Sequence, residues 1–226
     1  MKYIPSIAFE EMSGFAKGVT AAKVRGRKYI RNRGYGGSTR TEFQSSVKGI
    51  FKQLSTSWKS LSNAQILAWN KLAGTQAGHS VLGSSSKISG ANLFMRLNYW
   101  VVYCGGEVMT TPPDLVGVEA PSEAVITLTA EKFTFELEQA PAAAADLRLI
   151  VQASAPQSNG VTRAYAKAAT IGGARACSTD EIDIKADYDE KNGAPSAAAP
   201  KVFMKYFFVN TKTGEKSGEM MAIAKL

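Results

Sequence analysis

The chain has 226 residues, of which 45% are hydrophobic and 20% charged, and its formal net charge is +8. These values suit a folded chain, long for one domain and comfortable for two, and exclude wholesale disorder. No apolar run approaches the roughly 18 residues needed to cross a bilayer. The start Met1-Lys2-Tyr3-Ile4-Pro5 lacks the apolar stretch of a secretory signal, so no such signal is read, and no membrane partner is expected.

The charge is unevenly placed. Residues 1–60 hold seven Lys and five Arg against three Glu, a local charge of +9, so the remaining 166 residues sum to −1. Such a basic end attracts phosphates or an acidic protein surface, and the near-neutral body does not. Residues 1–40 have no clean period. Glycines interrupt short apolar patches, and Lys23–Arg33 gathers six basic residues around Tyr29 and Ile30. The reading is an extended basic arm with one short strand near Lys28–Arg31, too poor in apolar surface to offset its own ordering entropy.

Residues 41–106 read as a helical unit. Phe43, Val47, Ile50, Phe51, Leu54 and Trp58 form an apolar stripe, with Thr41 as its cap. Ser62 with Gln65 makes a capping box ahead of Ile66, Leu67, Trp69 and Leu72, and Gly74 is the predicted stop. Thr75–Lys87 is a Gly/Ser loop. Ser89 then caps a third helix carrying Leu93, Phe94, Leu97, Trp100, Val101 and Cys104, ended by Gly105-Gly106. Three such stripes can share one core, and the three tryptophans are predicted to pack in it.

Residues 107–121, with Pro112-Pro113 and Pro121, read as a linker. Beyond it the period changes to two. Strands are predicted over Val125–Thr129, Phe133–Leu137, Leu147–Ala153, Arg163–Ile171 and Glu181–Ile184, and a closing hairpin pairs Val202–Val209 with Met220–Ala224. Residues 122–226 are therefore expected to form an immunoglobulin-like β-sandwich. The whole is α+β: basic arm, three-helix unit and sandwich.

Catalysis has little to work with. The only histidine, His79, lies in the Gly/Ser loop and is read as solvated. The acidic cluster Asp180, Glu181, Asp183, Asp187, Asp189 and Glu190 lacks the order of a calcium loop. Asp183 and Lys185 alternate around Ile182 and Ile184, which predicts the wet face of an edge strand, with weak Ca²⁺ or Mg²⁺ binding as the alternative. Gly34-Tyr-Gly-Gly37 lacks the context of a phosphate loop and is read as a hinge. Cys104 and Cys177 are solitary, with no histidine beside them. No enzyme activity, cofactor or metal is expected.

The basic segment carries the functional content. Lys17, Lys23, Arg25, Arg27, Lys28, Tyr29, Arg31 and Arg33 are the candidate partner-binding residues. A solvated tail, phosphate contact through Arg forks and tyrosine stacking, and docking on a protein partner are three readings of the same residues.

The succession of motifs resembles virion structural proteins of tailed phages and prophages of Bacteroidota, including crAss-like phages. The residues that carry the resemblance are Met12-Ser-Gly14, Gly26-Arg-Lys-Tyr-Ile-Arg-Asn-Arg33, Thr41-Glu-Phe-Gln44, Trp58-Lys-Ser-Leu-Ser-Asn-Ala-Gln65, Ala68-Trp-Asn70, and Ser89-Gly-Ala-Asn-Leu-Phe94 with Asn98. Val202–Lys205 and Gly214–Ser217 are similar to the close of the family's β-domain. Gly34-Tyr-Gly-Gly37 departs from the prolines and arginines of that family. The resemblance implies an auxiliary capsid or head-decoration role in a virion assembled in the bacterial cytoplasm, with the major capsid protein or another virion protein as partner. It is compatible with a homo-oligomer and with weak, non-specific nucleic-acid contact. The alternative function is a nucleic-acid-binding protein using the same arm.

Overall fold

The structure, a computed structural model, describes residues 12–24, 27–32, 34, 41–78 and 86–226. It is an α+β fold whose sheets are all antiparallel among the described residues. None of the helices described is long and apolar enough to cross a membrane.

The N-terminal segment departs from the expected extended arm. It forms a three-stranded meander of β1 (Gly14–Ala16), β2 (Val19–Val24) and β3 (Arg27–Asn32). The predicted strand at Lys28–Arg31 lies within β3. Two residues, Lys17 and Gly18, join Ala16 to Val19, and both have positive φ, 38° and 90°. That is the requirement of the type I′ hairpin turn, which matches the right-handed twist of the flanking strands.

Local chemistry sets the helices. Thr41 caps α1 (Glu42–Ser60), accepting the Gln44 N–H at 3.2 Å, while Glu42 and Lys59 complement the helix dipole at opposite ends. Ser62 and Gln65 form the capping box of α2 (Asn63–Thr75), which runs one residue past Gly74. A two-residue ladder of β4 (Ala77–Gly78) and β5 (Ser86–Lys87) leads to α3 (Gly90–Tyr103), capped by Ser89. Gly90 cannot be larger, because a Cβ there would lie 2.4 Å from Asn70 Oδ1, the atom that accepts its N–H. Leu54, Leu61, Trp69, Ala73, Leu93, Phe94 and Leu97 make the helical core, with Trp58 and Trp69 both against the Phe94 ring.

Residues 107–121 have no regular structure, yet they are docked on both units. Asn98 is fully buried; its Oδ1 accepts the Met109 N–H at 2.6 Å and its Nδ2 donates to Phe94 O. The Trp69 indole donates to Thr110 O at 3.0 Å. Val108, Met109 and Leu115 join the helical core, and Val118 joins the β core.

The C-terminal region has two sheets around one core. One sheet runs β11 (Ile182–Asp183), β7 (Phe133–Leu137), β6 (Ala124–Leu128). The other runs β10 (Arg175–Ala176), β8 (Leu147–Ala153), β12 (Lys201–Asn210), β13 (Met220–Lys225), with β9 (Ala169–Thr170) also on β8. Phe135 of one sheet meets Tyr206 of the other at 5.0 Å between ring centroids. The closing hairpin pairs as expected, from Lys201↔Lys225 to Tyr206↔Met220.

Two expected strands are shorter than predicted. Arg163–Ile171 is mostly a 3-10 turn at Tyr165–Lys167 followed by β9, because Tyr165 folds onto the Phe203 ring. Glu181–Ile184 reduces to β11 and runs into α4 (Lys185–Asn192), which the sequence reading did not include. Tyr188 is the single buried residue of α4. Its ring packs on Phe133, and its hydroxyl donates to Ser154 O at 3.0 Å.

The strand β12 is buried on both faces. Val202, Met204, Tyr206 and Phe208 point into the inter-sheet core, and Phe207 and Val209 point outward with Ile150 of β8. The outward set is covered by Trp100, Tyr103 and Cys104 of α3 and its cap. Trp100 therefore lies at the joint between the units and not inside the helical core.

Candidate functional site

The meander brings the basic residues onto two faces. Residues directly opposite in an antiparallel ladder share a face, and every second residue along a strand does so too. Phe15, Thr20 and Arg31 form one row across the three strands, and Tyr29 continues the same face opposite Ala22. Lys23 stands opposite Lys28 on the other face, with Val19 and Ile30. Lys17 is at the tip, in the turn. Arg27 ends the ladder opposite Val24, and Arg25 and Arg33 lie outside the described residues.

Gly14, Phe15, residues 17–23 and residues 28–32 are all half-buried or exposed, and Phe15 is 76% exposed. None of the three hydrophobic clusters draws on it. Phe15, Thr20, Arg31, Asn32 and Gly34 line an open recess in which a ring, a hydroxyl and a guanidinium converge. Residues 12–34 contain seven Lys and Arg and no acidic residue. Chemically, the surface offers an apolar anchor beside an Arg fork, which suits a carboxylate or phosphate next to a flat or apolar group.

The acidic cluster is used locally. Asp187 pairs with Arg175, Asp189 with Lys185 one turn earlier, and Asp183 Oδ1 accepts the Lys185 N–H at 2.8 Å. No group of three or more metal-ligating side chains occurs among the described residues. Of the expected edge strand, Ile182–Asp183 forms β11 at the end of its sheet with Asp183 exposed, while Lys185, Asp187, Asp189 and Glu190 belong to α4.

The two cysteines are free. Burial pushes the Cys177 thiol up to about 12, only partly opposed by Arg148, so its thiolate is scarce near neutral pH. Burial raises Cys104 as well. His79 and the hinge residues Tyr35–Gly37 lie outside the described residues. The tryptophans pack against other rings, at Phe94 for Trp58 and Trp69 and at Phe207 for Trp100.

No family model, curated protein or solved structure matches the chain. Sequence reasoning named the basic residues and Phe15 as one apolar anchor among several, but only the register sets Phe15 and Thr20 in one row with Arg31. The signal for them was the Lys17-Gly18 reversal, which folds Phe15 back onto the strand that precedes Arg31.

Proposed function

We propose that the chain is a non-enzymatic structural protein of a tailed-phage virion, an auxiliary capsid or head-decoration protein. It docks on an acidic surface of the major capsid protein through the basic meander. The body then serves as the displayed part, with residues 122–226 read as an immunoglobulin-like sandwich. The observation that carries this reading is the Phe15–Thr20–Arg31 row, exposed at Phe15 and Arg31, on a sheet that lends nothing to the described cores. A three-stranded sheet whose described side chains are at most half-buried gains stability by docking. The motif succession from Met12 to Asn98 supports the virion assignment.

A second reading is favoured by one detail. Tyr29 and Arg31 share a face, so a base could stack while its phosphate meets the guanidinium. Co-expression with the cognate capsid protein, followed by sedimentation of particles, tests the first reading. The full chain should travel with particles, and a chain lacking residues 1–40 should stay in the supernatant. Normal incorporation of the truncated chain would refute docking through this segment.

A further inference from the structure

The strand β13 ends its sheet. It pairs with β12 along one side and, among the described residues, with nothing along the other. Although β6 comes near it, no ladder joins the two. The edge has six residues, no proline and one charge, Lys225. Natural edges of this kind are usually blunted, because their open N–H and C=O groups template a further strand.

The direction of the open groups follows from the ladder. The Leu226 N–H donates to Pro200 O at 2.9 Å, continuing the β12 pairing, so the even-numbered residues of β13 bond toward β12. Met221, Ile223 and Lys225 therefore turn their backbone groups to the open side. The same residues place their side chains on the outer face. Met221 and Ile223 are 52% and 50% exposed there, although Phe203, directly opposite Ile223, is fully buried.

We propose that β13 pairs antiparallel with β13 of a second copy, about a two-fold axis through Ala222. Open groups meet only when odd residues oppose odd residues, which puts the axis through a residue and not between two, and Met221, Ala222 and Ile223 are the positions that keep most of the strand paired. About Ala222, Met221 of each copy opposes Ile223 of the other, and Lys225 opposes Glu219. Apolar surface then covers apolar surface on both sides of the axis, while Lys225 comes beside a carboxylate that Lys205 and Lys216 of its own chain already hold, so the pairing rests on the Met221–Ile223 contacts. The flanking registers are poorer. An axis at Ile223 opposes Met221 to Lys225, and one at Met221 opposes Ile223 to Glu219. The second copy is thus the occupant for which this edge is self-complementary.

Sedimentation equilibrium of the full chain tests the proposal, with a concentration-dependent monomer–dimer equilibrium as the expected result. Ile223→Pro removes only an N–H that faces away from β12, so it should give a folded monomer. Met221→Lys places a cation at the seam without touching the backbone and should also give a folded monomer, which keeps the test decisive if the proline variant fails to fold. A wild-type chain that stays monomeric into the millimolar range overturns the proposal. So does a folded Met221→Lys or Ile223→Pro variant that dimerises as well as wild type. Neither outcome bears on docking through the meander.

Discussion

The indole of Trp100 meets the ring of Phe207 edge-on, with centroids 5.4 Å apart. This contact joins α3 to the outer face of β12, and the Tyr103 hydroxyl supports it by donating to Gly172 O at 3.2 Å. Phe207 is fully buried, so Phe207→Ala should cost about 3–5 kcal/mol, counting lost burial and the cavity left behind. A double-mutant cycle with Trp100→Ala should return a coupling of about 0.5–1.5 kcal/mol for the ring pair. Denaturant unfolding followed by circular dichroism measures both.

The same joint bears on the expectation that residues 122–226 are a free-standing unit. Without α3, that fragment uncovers Ile150, Phe207 and Val209, which are all fully buried in the whole chain. The fragment should melt at a lower temperature than the same region in the full chain and should bind a hydrophobic dye. Equal melting temperatures would show that the α3 contact contributes no stability.

How much of this was legible in the sequence depends on how local the cause is. The caps at Thr41, Ser62 and Ser89 act over three residues, so the pattern alone exposes them. The closing hairpin reads from its two apolar runs. The docking of residues 107–121 does not, because its prolines resemble a linker while its ties, Met109 to Asn98 and Thr110 to Trp69, reach back 11 and 41 residues. The helix α4 is hidden by its polarity, since a single buried residue, Tyr188, holds it. The candidate site was half legible. Composition marks Arg31, but only strand register sets Phe15 and Thr20 beside it.

Gly214 offers a test of the second tie between the units. Its φ is +69°, and a Cβ there would fall 2.0 Å from the Leu97 carbonyl oxygen of α3. Gly214→Ala should therefore destabilise by more than the roughly 1 kcal/mol of left-handed backbone strain alone. Gly160→Ala, where a Cβ meets nothing within 4 Å, is the control and should be close to neutral. Thermal melts of the two variants decide it.

The Cys177 thiol gives a pH dependence with a definite sign. Its folded value, about 12, lies above the ordinary thiol value of 9.0 because burial disfavours the thiolate. A raised folded value contributes stability that is complete below the ordinary thiol range and is lost as pH rises toward about 12. Cys177→Ala should flatten the alkaline limb of the stability curve. Near pH 8, alkylation of Cys177 in the native protein should be far slower than in denaturant, as read by mass spectrometry.

The meander can be tested so that an acidic protein partner is separated from nucleic acid. Both would bind Arg31 in a salt-sensitive way, because both exchange counterions for a guanidinium contact. Phe15 lies in the row with Thr20 and Arg31, and Tyr29 stands on the same face, so either ring can stack a base and the two partners are separated by comparing particle association with DNA binding in each variant. The proposed docking should weaken strongly with Phe15→Ser at any salt concentration, since the lost contribution is apolar burial. Arg31→Ala should weaken docking mainly at low salt, and Tyr29→Ala should matter less than Phe15→Ser. Because Phe15 and Arg31 are exposed, neither change should alter the thermal melt of the body. Binding of a random DNA duplex should be weak and should vanish at physiological ionic strength. If Tyr29→Ala abolishes DNA binding that survives such salt, while Phe15→Ser leaves particle association intact, the meander is a nucleic-acid surface and the proposed docking through it is overturned.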